Sequence, residues 1–105
     1  MQIQIHAPDV QHSNAIEEHV RSELEDALKR FANQVTRVEV HLHDDNGPKS
    51  GVDKRCIVEV RLAGHQPMAV EGQAIDLYEA VRIAAGKLER AVQHKLERHE
   101  AHKSK

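Results

Sequence analysis

The sequence predicts an α+β fold of order β-α-β-β-β-α: a four-stranded mixed sheet with two helices packed on one face. Three observations carry this. Residues 36–43 and 54–62 alternate apolar and polar side chains, the period of half-buried strands. Residues 14–31 and 76–99 repeat apolar residues every three or four positions, as one helix face does. Between the two alternating runs lies DDNGPKSGVD, Asp44–Asp53, the only loop rich in turn formers, which suits the connection of two antiparallel strands.

Each element follows in order. Gln2–His6 places Ile3 and Ile5 on one face of a short strand. Ala7–His12, with Pro8 and Asp9, reads as a loop. Asn14-x-x-Glu17 matches a capping box, with Ser13 a rival N-cap. The helix that follows runs to about Phe31, with Ile16, Val20, Leu24, Ala27 and Phe31 as its buried stripe. Glu17–Arg21, Glu25–Lys29 and Asp26–Arg30 are spaced as acid-to-base i,i+4 pairs on its exposed side. In the strand Thr36–His43, Val38, Val40 and Leu42 point inward while Arg37, Glu39, His41 and His43 point out. Lys54–Leu62 is the next strand, Ala63–Pro67 a turn containing Gly64, and Met68–Glu71 a short strand. Asp76-x-x-Glu79 is a second capping box and opens the long helix, whose tail is expected to fray from about residue 100.

Two amphipathic helices on one face of such a sheet would bury both apolar stripes. The first β-α-β unit should be a right-handed crossover, with its two strands parallel. The other sheet face is left open, a polar surface of mixed charge carrying Gln4, His6, Arg37, Glu39, His41 and Glu59 among others. At 105 residues, with 39% hydrophobic and 30% charged residues, the chain reads as one domain over 1–105 and not as a disordered segment. No apolar run approaches the ~20 residues that span a bilayer, and MQIQIHAPD lacks the basic and apolar regions of a signal peptide. The expected location is the cytoplasm, with no membrane partner.

The net charge of −2 argues against a generally basic nucleic-acid binder, but the charge is sorted along the chain. Residues 82–105 carry seven Lys/Arg against three Glu, so the first 81 residues are strongly acidic on balance. On the long helix, Leu77, Val81, Ala84, Leu88 and Ala91 share one line, and Lys87, Arg90, His94 and Arg98 form one flank beside it. A cationic stripe beside an apolar seam suits an anion, with RNA as the first candidate. The competing reading is that the cations only complement the negative end of the helix dipole. Phe31 and Tyr78 are the only aromatic residues among Phe, Trp and Tyr, so stacking of successive bases is excluded and RNA would be held by phosphate contacts and shape.

Other chemistries are weaker. There is no GxSxG, no phosphate-cradling glycine loop and no HExxH, so no catalytic residue, no cofactor, no small-molecule substrate and no metal is assigned. Nine histidines still leave a metal-binding module through His6, His41 and His43, with Asp44 and Asp45 nearby, as a lesser alternative. The single cysteine, Cys56, is expected to be a buried structural thiol alongside Val58 and Val60. The five glycines stand singly at turns, before the long helix, or within it. Gly86, inside that helix, either admits a close neighbouring backbone or is simply tolerated.

The opening MQIQIHAPDV, the block SNAIEEHVRSELEDALKRFANQVTRVEVHL and above all DLYEAVRIAAGKLERAVQHKLERH resemble the ribosome hibernation-promoting factor and ribosome-associated inhibitor family (protein Y, formerly sigma-54 modulation proteins). The resemblance covers essentially the whole chain, as a divergent short form. It implies a factor that occupies the small ribosomal subunit and blocks translation, without catalysis, through basic helix surfaces against ribosomal RNA. The matching positions are Lys87, Arg90, Lys95 and Arg98, then Arg82, and on the first helix Arg21, Lys29 and Arg30. Two departures stand out: five acids on the first helix, and a longer, more acidic Asp44–Asp53 loop. The ribosome-pairing C-terminal domain of long members is absent from this sequence, so ribosome dimerisation by this chain is not expected. The oligomeric state is open, with a monomer the default. The alternative is a protein-interaction domain on the same scaffold.

Overall fold

In the computed structural model, backbone is described for residues 1–8, 13–44 and 53–103, with side chains to residue 98. The order is β1 (Gln2–His6), α1 (Asn14–Leu28) closing in a 3-10 turn (Lys29–Phe31), β2 (Val35–Asp44), β3 (Lys54–Leu62), β4 (Met68–Ala74) and α2 (Leu77–Lys103). This is the predicted β-α-β-β-β-α arrangement. The four strands lie in chain order, β1 parallel to β2 and the other pairs antiparallel. Much of the Ala7–His12 loop, nearly all of the Asp44–Asp53 loop including Asp45, and the side chains of the tail expected to fray lie outside the described residues.

Period-2 alternation sets the register. Ile3 faces Val38, Ile5 faces Val40, Val40 faces Val58 and Val58 faces Val70, all on the side covered by the helices. A slip of one residue would turn this whole set to solvent. Val35 and Val38 are both buried although three apart, because the ladder shifts register between Val35 and Arg37. Such a bulge re-aims one side chain without breaking the strand, and the Thr36 hydroxyl donates to the Arg61 carbonyl across it (3.1 Å). At the far end of this hairpin Lys54 Nζ reaches Asp44 Oδ1 and Asp53 Oδ1, each at 3.1 Å. Hydrogen bonding to Asp44, then to Asp53, holds the Lys54 pKa above its ordinary value.

Ser13, not Asn14, caps α1: its Oγ accepts from the Ile16 amide at 3.2 Å. Ile16, Val20, Leu24 and Ala27 are buried as expected, but Leu28 is fully buried and Phe31 only partly so. The helix tightens into a 3-10 turn after Leu28. That turns Phe31 to the rim, under the Arg30 guanidinium (4.8 Å to the ring centroid). The same change alters two expected ion pairs. Lys29 meets Asp26 at i,i+3 (3.3 Å), and Arg30 leaves α1 altogether to reach α2; only Glu17–Arg21 forms as spaced (3.4 Å).

β4 extends three residues beyond the predicted Glu71 and includes Gly72. On α2, Asp76 accepts from the Glu79 amide (3.3 Å), which secures the start of the helix. Because β1 and β4 point the same way and each feeds a helix on the same face, α1 and α2 run parallel. His19 meets Tyr78 and Arg30 meets Glu89 with the same sequence separation of 59, which only parallel helices allow. The core seam of α2 includes Ala85 and Val92, while Ala91 is only half-buried. Each large core side chain, such as Leu24, Leu42 or Leu88, contributes roughly 1.5–3 kcal/mol by leaving water.

Gly86 is a tolerated glycine and not a close-packed one. A Cβ there would meet only the Arg90 guanidinium, at 3.5 Å. Gly86→Ala is therefore expected to stabilise the protein by about 0.5–1 kcal/mol, read as a raised midpoint in thermal or urea unfolding.

Candidate polyanion interface

The eight cations singled out in the sequence are not brought onto one surface. Advancing about 100° per residue from Leu77, the side of α2 facing α1 lies near 100–160° and carries Tyr78, Arg82, Glu89 and Gln93. The flank Lys87, Arg90, His94 and Arg98 lies near 220–300°, on the other side of the seam, toward the β4 edge. Lys95 falls five full turns from Leu77, on the line of the seam itself, and is half-buried.

Most of these cations already have intramolecular work. Arg82 is held by Glu79, whose carboxylate keeps the guanidinium pKa above its ordinary value, with Glu23 of α1 adding to the effect. Arg30 Nη2 donates to Glu89 (3.3 Å) and Gln93 (3.1 Å), a clasp between the two helices. Lys29 is paired with Asp26. Arg21 reaches from α1 to the Ile3 carbonyl on edge strand β1 (3.3 Å), and Lys87 Nζ reaches the Glu71 carbonyl on edge strand β4 (2.9 Å). A lysine or arginine over an exposed ladder edge discourages pairing with another chain. That role was not legible in the sequence, because it depends on which helix lies over which edge.

Among the described residues, Arg90, Lys95 and Arg98 make no hydrogen bond or ion pair. Arg90 and Arg98 are exposed. They sit in the half of α2 that continues past the level where α1 ends, since Arg30 at the end of α1 meets Glu89. Acids from α1 therefore flank the first half of α2, not this end. Cations here also complement the negative end of the helix dipole.

The remaining singled-out groups fall elsewhere. Tyr78 is 40% exposed, its ring tilted against His19 (4.8 Å), and His19 Nε2 donates to the Tyr78 carbonyl (3.1 Å). On the open sheet face, the His6 and His41 rings stack at 4.8 Å, and His6 Nε2 lies 3.5 Å from Glu39 Oε1. Among the described residues this cluster leaves out His43, whose cross-strand neighbour is Arg55. The His6, His41 and His43 grouping weighed as a lesser alternative is not what the fold brings together: His6, Glu39 and His41 cluster instead, because β1 ends at His6 and only His41 lies opposite it.

Cys56 is fully buried on the core face of β3, and burial pushes its thiol up to about 12. It is not a nucleophile in the native state. Between the ordinary thiol range near 9 and about 12, the unfolded chain loses this proton while the folded chain keeps it. Stability is fully present below that window and falls as pH rises through it, at up to roughly 1.4 kcal/mol per pH unit. The expected result is a steeper alkaline loss of stability in the wild type than in Cys56→Ala, together with alkylation of Cys56 only after unfolding.

A sequence model described as sigma 54 modulation protein / S30EA ribosomal protein matches residues 3–100. The chain belongs to this family. Two solved structures share the fold. A ribosomal subunit interface protein from Coxiella burnetii superposes with a TM-score of 0.78 at 20% identity, covering 92% of this chain and 99% of its own. The Protein Y N-terminal domain from Thermus thermophilus gives a TM-score of 0.74 at 25% identity, covering 90% of this chain and 98% of its own. No curated protein sequence matches this chain. Among the described residues no helix is long and apolar enough to cross a membrane. Family membership agrees with the resemblance carried by the long helix, and the shared fold agrees with the predicted element order.

Proposed function

We propose that this protein is a cytoplasmic ribosome-binding hibernation factor that inhibits translation by occupying the small subunit, its α2 cations lying against ribosomal RNA. Its action is by occupancy and not by catalysis. The observation that carries this reading is the set Arg90, Lys95 and Arg98 on the extended half of α2, which have no partner among the described residues, in a chain of the S30EA family. Charges already satisfied within the fold gain little from a phosphate, because each must exchange one anionic or carbonyl partner for another. Free cations gain a new partner and release counterions. Arg21, Lys29, Arg30, Arg82 and Lys87 are accordingly assigned a supporting part.

Co-sedimentation with purified small ribosomal subunits across a salt series tests this. The expected result is binding at low salt that weakens steeply as salt rises, by analogy with the counterion release of nucleic-acid complexes. Absence of co-sedimentation at every salt concentration, or recovery from cell extract with a defined protein and no ribosomal RNA, would overturn it in favour of a protein-interaction domain.

A further inference from the structure

We propose that the open face of the sheet carries a binding site for one divalent transition-metal ion, zinc being the natural choice, built from His6 on β1 and Glu39 and His41 on β2. The inference is independent of the ribosome-binding reading, since none of the three lies on a helix. One ligand atom from each of the three residues lies within 4.8 Å of the others. Bonds of about 2.0–2.2 Å in a tetrahedral shell put ligand atoms about 3.3–3.5 Å apart, so the site needs a closure of up to about 1.5 Å. The two stacked imidazoles are nearly parallel, at 12°, and one must turn for both to aim at a single ion. His6 can do this: its side chain is 46% exposed and it stands on an edge strand.

The carboxylate is already oriented for the task. Glu39 Oε2 lies 3.0 Å from Arg37 Nε, while Oε1 faces His6. Arg37 is in turn steadied by Gln4 (2.8 Å). One oxygen thus lies in an ion pair with Arg37, without a hydrogen bond from its Nε, and the other faces His6. The rungs of this face also run against simple sheet stabilisation. His6 stands opposite His41, and Glu39 opposite Glu59. Carboxylates directly opposite one another are destabilising; Arg37 already offsets this at Glu39, and a bound cation would add to that. Two imidazoles and a carboxylate select zinc, nickel or copper over magnesium or calcium, and water completes the shell.

Calorimetric titration of the full chain with zinc chloride, above the imidazole titration range, is the test. The expected result is one dominant site that His6→Gln, His41→Gln and Glu39→Gln each weaken at least tenfold, with His43→Gln unchanged. Saturating zinc should also raise the unfolding midpoint of the wild type and leave that of the His6→Gln/His41→Gln variant unmoved. Without metal the variants should unfold at the wild-type midpoint to within a few degrees, because the replaced groups are solvent-facing. Equal zinc affinity in the wild type and the double variant, or equal weakening by His43→Gln, would overturn the proposal.

Discussion

Replacing Gly72 with alanine should cost about 3 kcal/mol of stability, on the order of 12–24 °C in the unfolding midpoint of a domain this size. A Cβ at this position would stand 2.3 Å from the Ala80 carbonyl oxygen and 2.7 Å from the Ala84 amide nitrogen. Both are backbone atoms of α2, so no side-chain rotation can make room. The helix would have to lift from β4, opening gaps beside Cys56, the cross-strand neighbour of Gly72, and along Val81 and Leu88. The clash is with main chain, so trimming Ala84 to glycine should not rescue the variant. Thermal and urea unfolding of Gly72→Ala and Gly72→Ala/Ala84→Gly decide the matter. A Gly72→Ala midpoint within a few degrees of wild type would show that α2 is not seated on this strand as described.

Reversing the free cations, in Arg90→Glu/Lys95→Glu/Arg98→Glu, should weaken ribosomal subunit binding at least a hundredfold. Each charge-assisted bond to a phosphate is worth about 1 kcal/mol or more, and three independent ones multiply. The log–log salt dependence should become shallower by about 0.7–0.9 for each phosphate that is no longer neutralised. The fold should survive, since Arg90 and Arg98 are exposed and none of the three has a partner among the described residues. Reversing Arg30 and Arg82 makes a useful contrast. Reversing Arg30 should disturb the α1–α2 clasp and reversing Arg82 its pairing with Glu79 within α2, each with a smaller effect on the salt slope. Undiminished binding by the folded triple variant at all salt concentrations would sink the assignment of this end of α2.

Legibility in the sequence followed the strength of the local signal. β1 and β3 have the bounds that alternation predicts, and β2 exceeds its prediction by one residue at each end. The predicted β4 stops short because Gly72, Gln73 and Ala74 have weak strand propensity, and only the approach of α2 explains why small residues stand there. A signal was present: Gly72 and Ala74 continue the inward phase of Val70, and Ala80 and Ala84 are one helical turn apart. Small residues in register on two elements mark a close approach. The candidate cations could be named from the chain, but their partners could not. Arg21 and Lys87 bond to carbonyls 18 and 16 residues away, and Arg30 to a carboxylate 59 residues away.

Sequence alone therefore determined the element types, their order, the core faces and the reserve of positive charge on the last helix. These rest on periodicity and capping, which act within a few residues. Only the tertiary structure decided which cations are spent on edge strands and helix clasps and which are left free. It alone brought His6, Glu39 and His41 together and seated α2 on a glycine. The parallel β1–β2 pair was expected from the β-α-β order, but those outcomes depend on its residue-by-residue register and on which helix lies over which strand, long-range relations that no local pattern encodes.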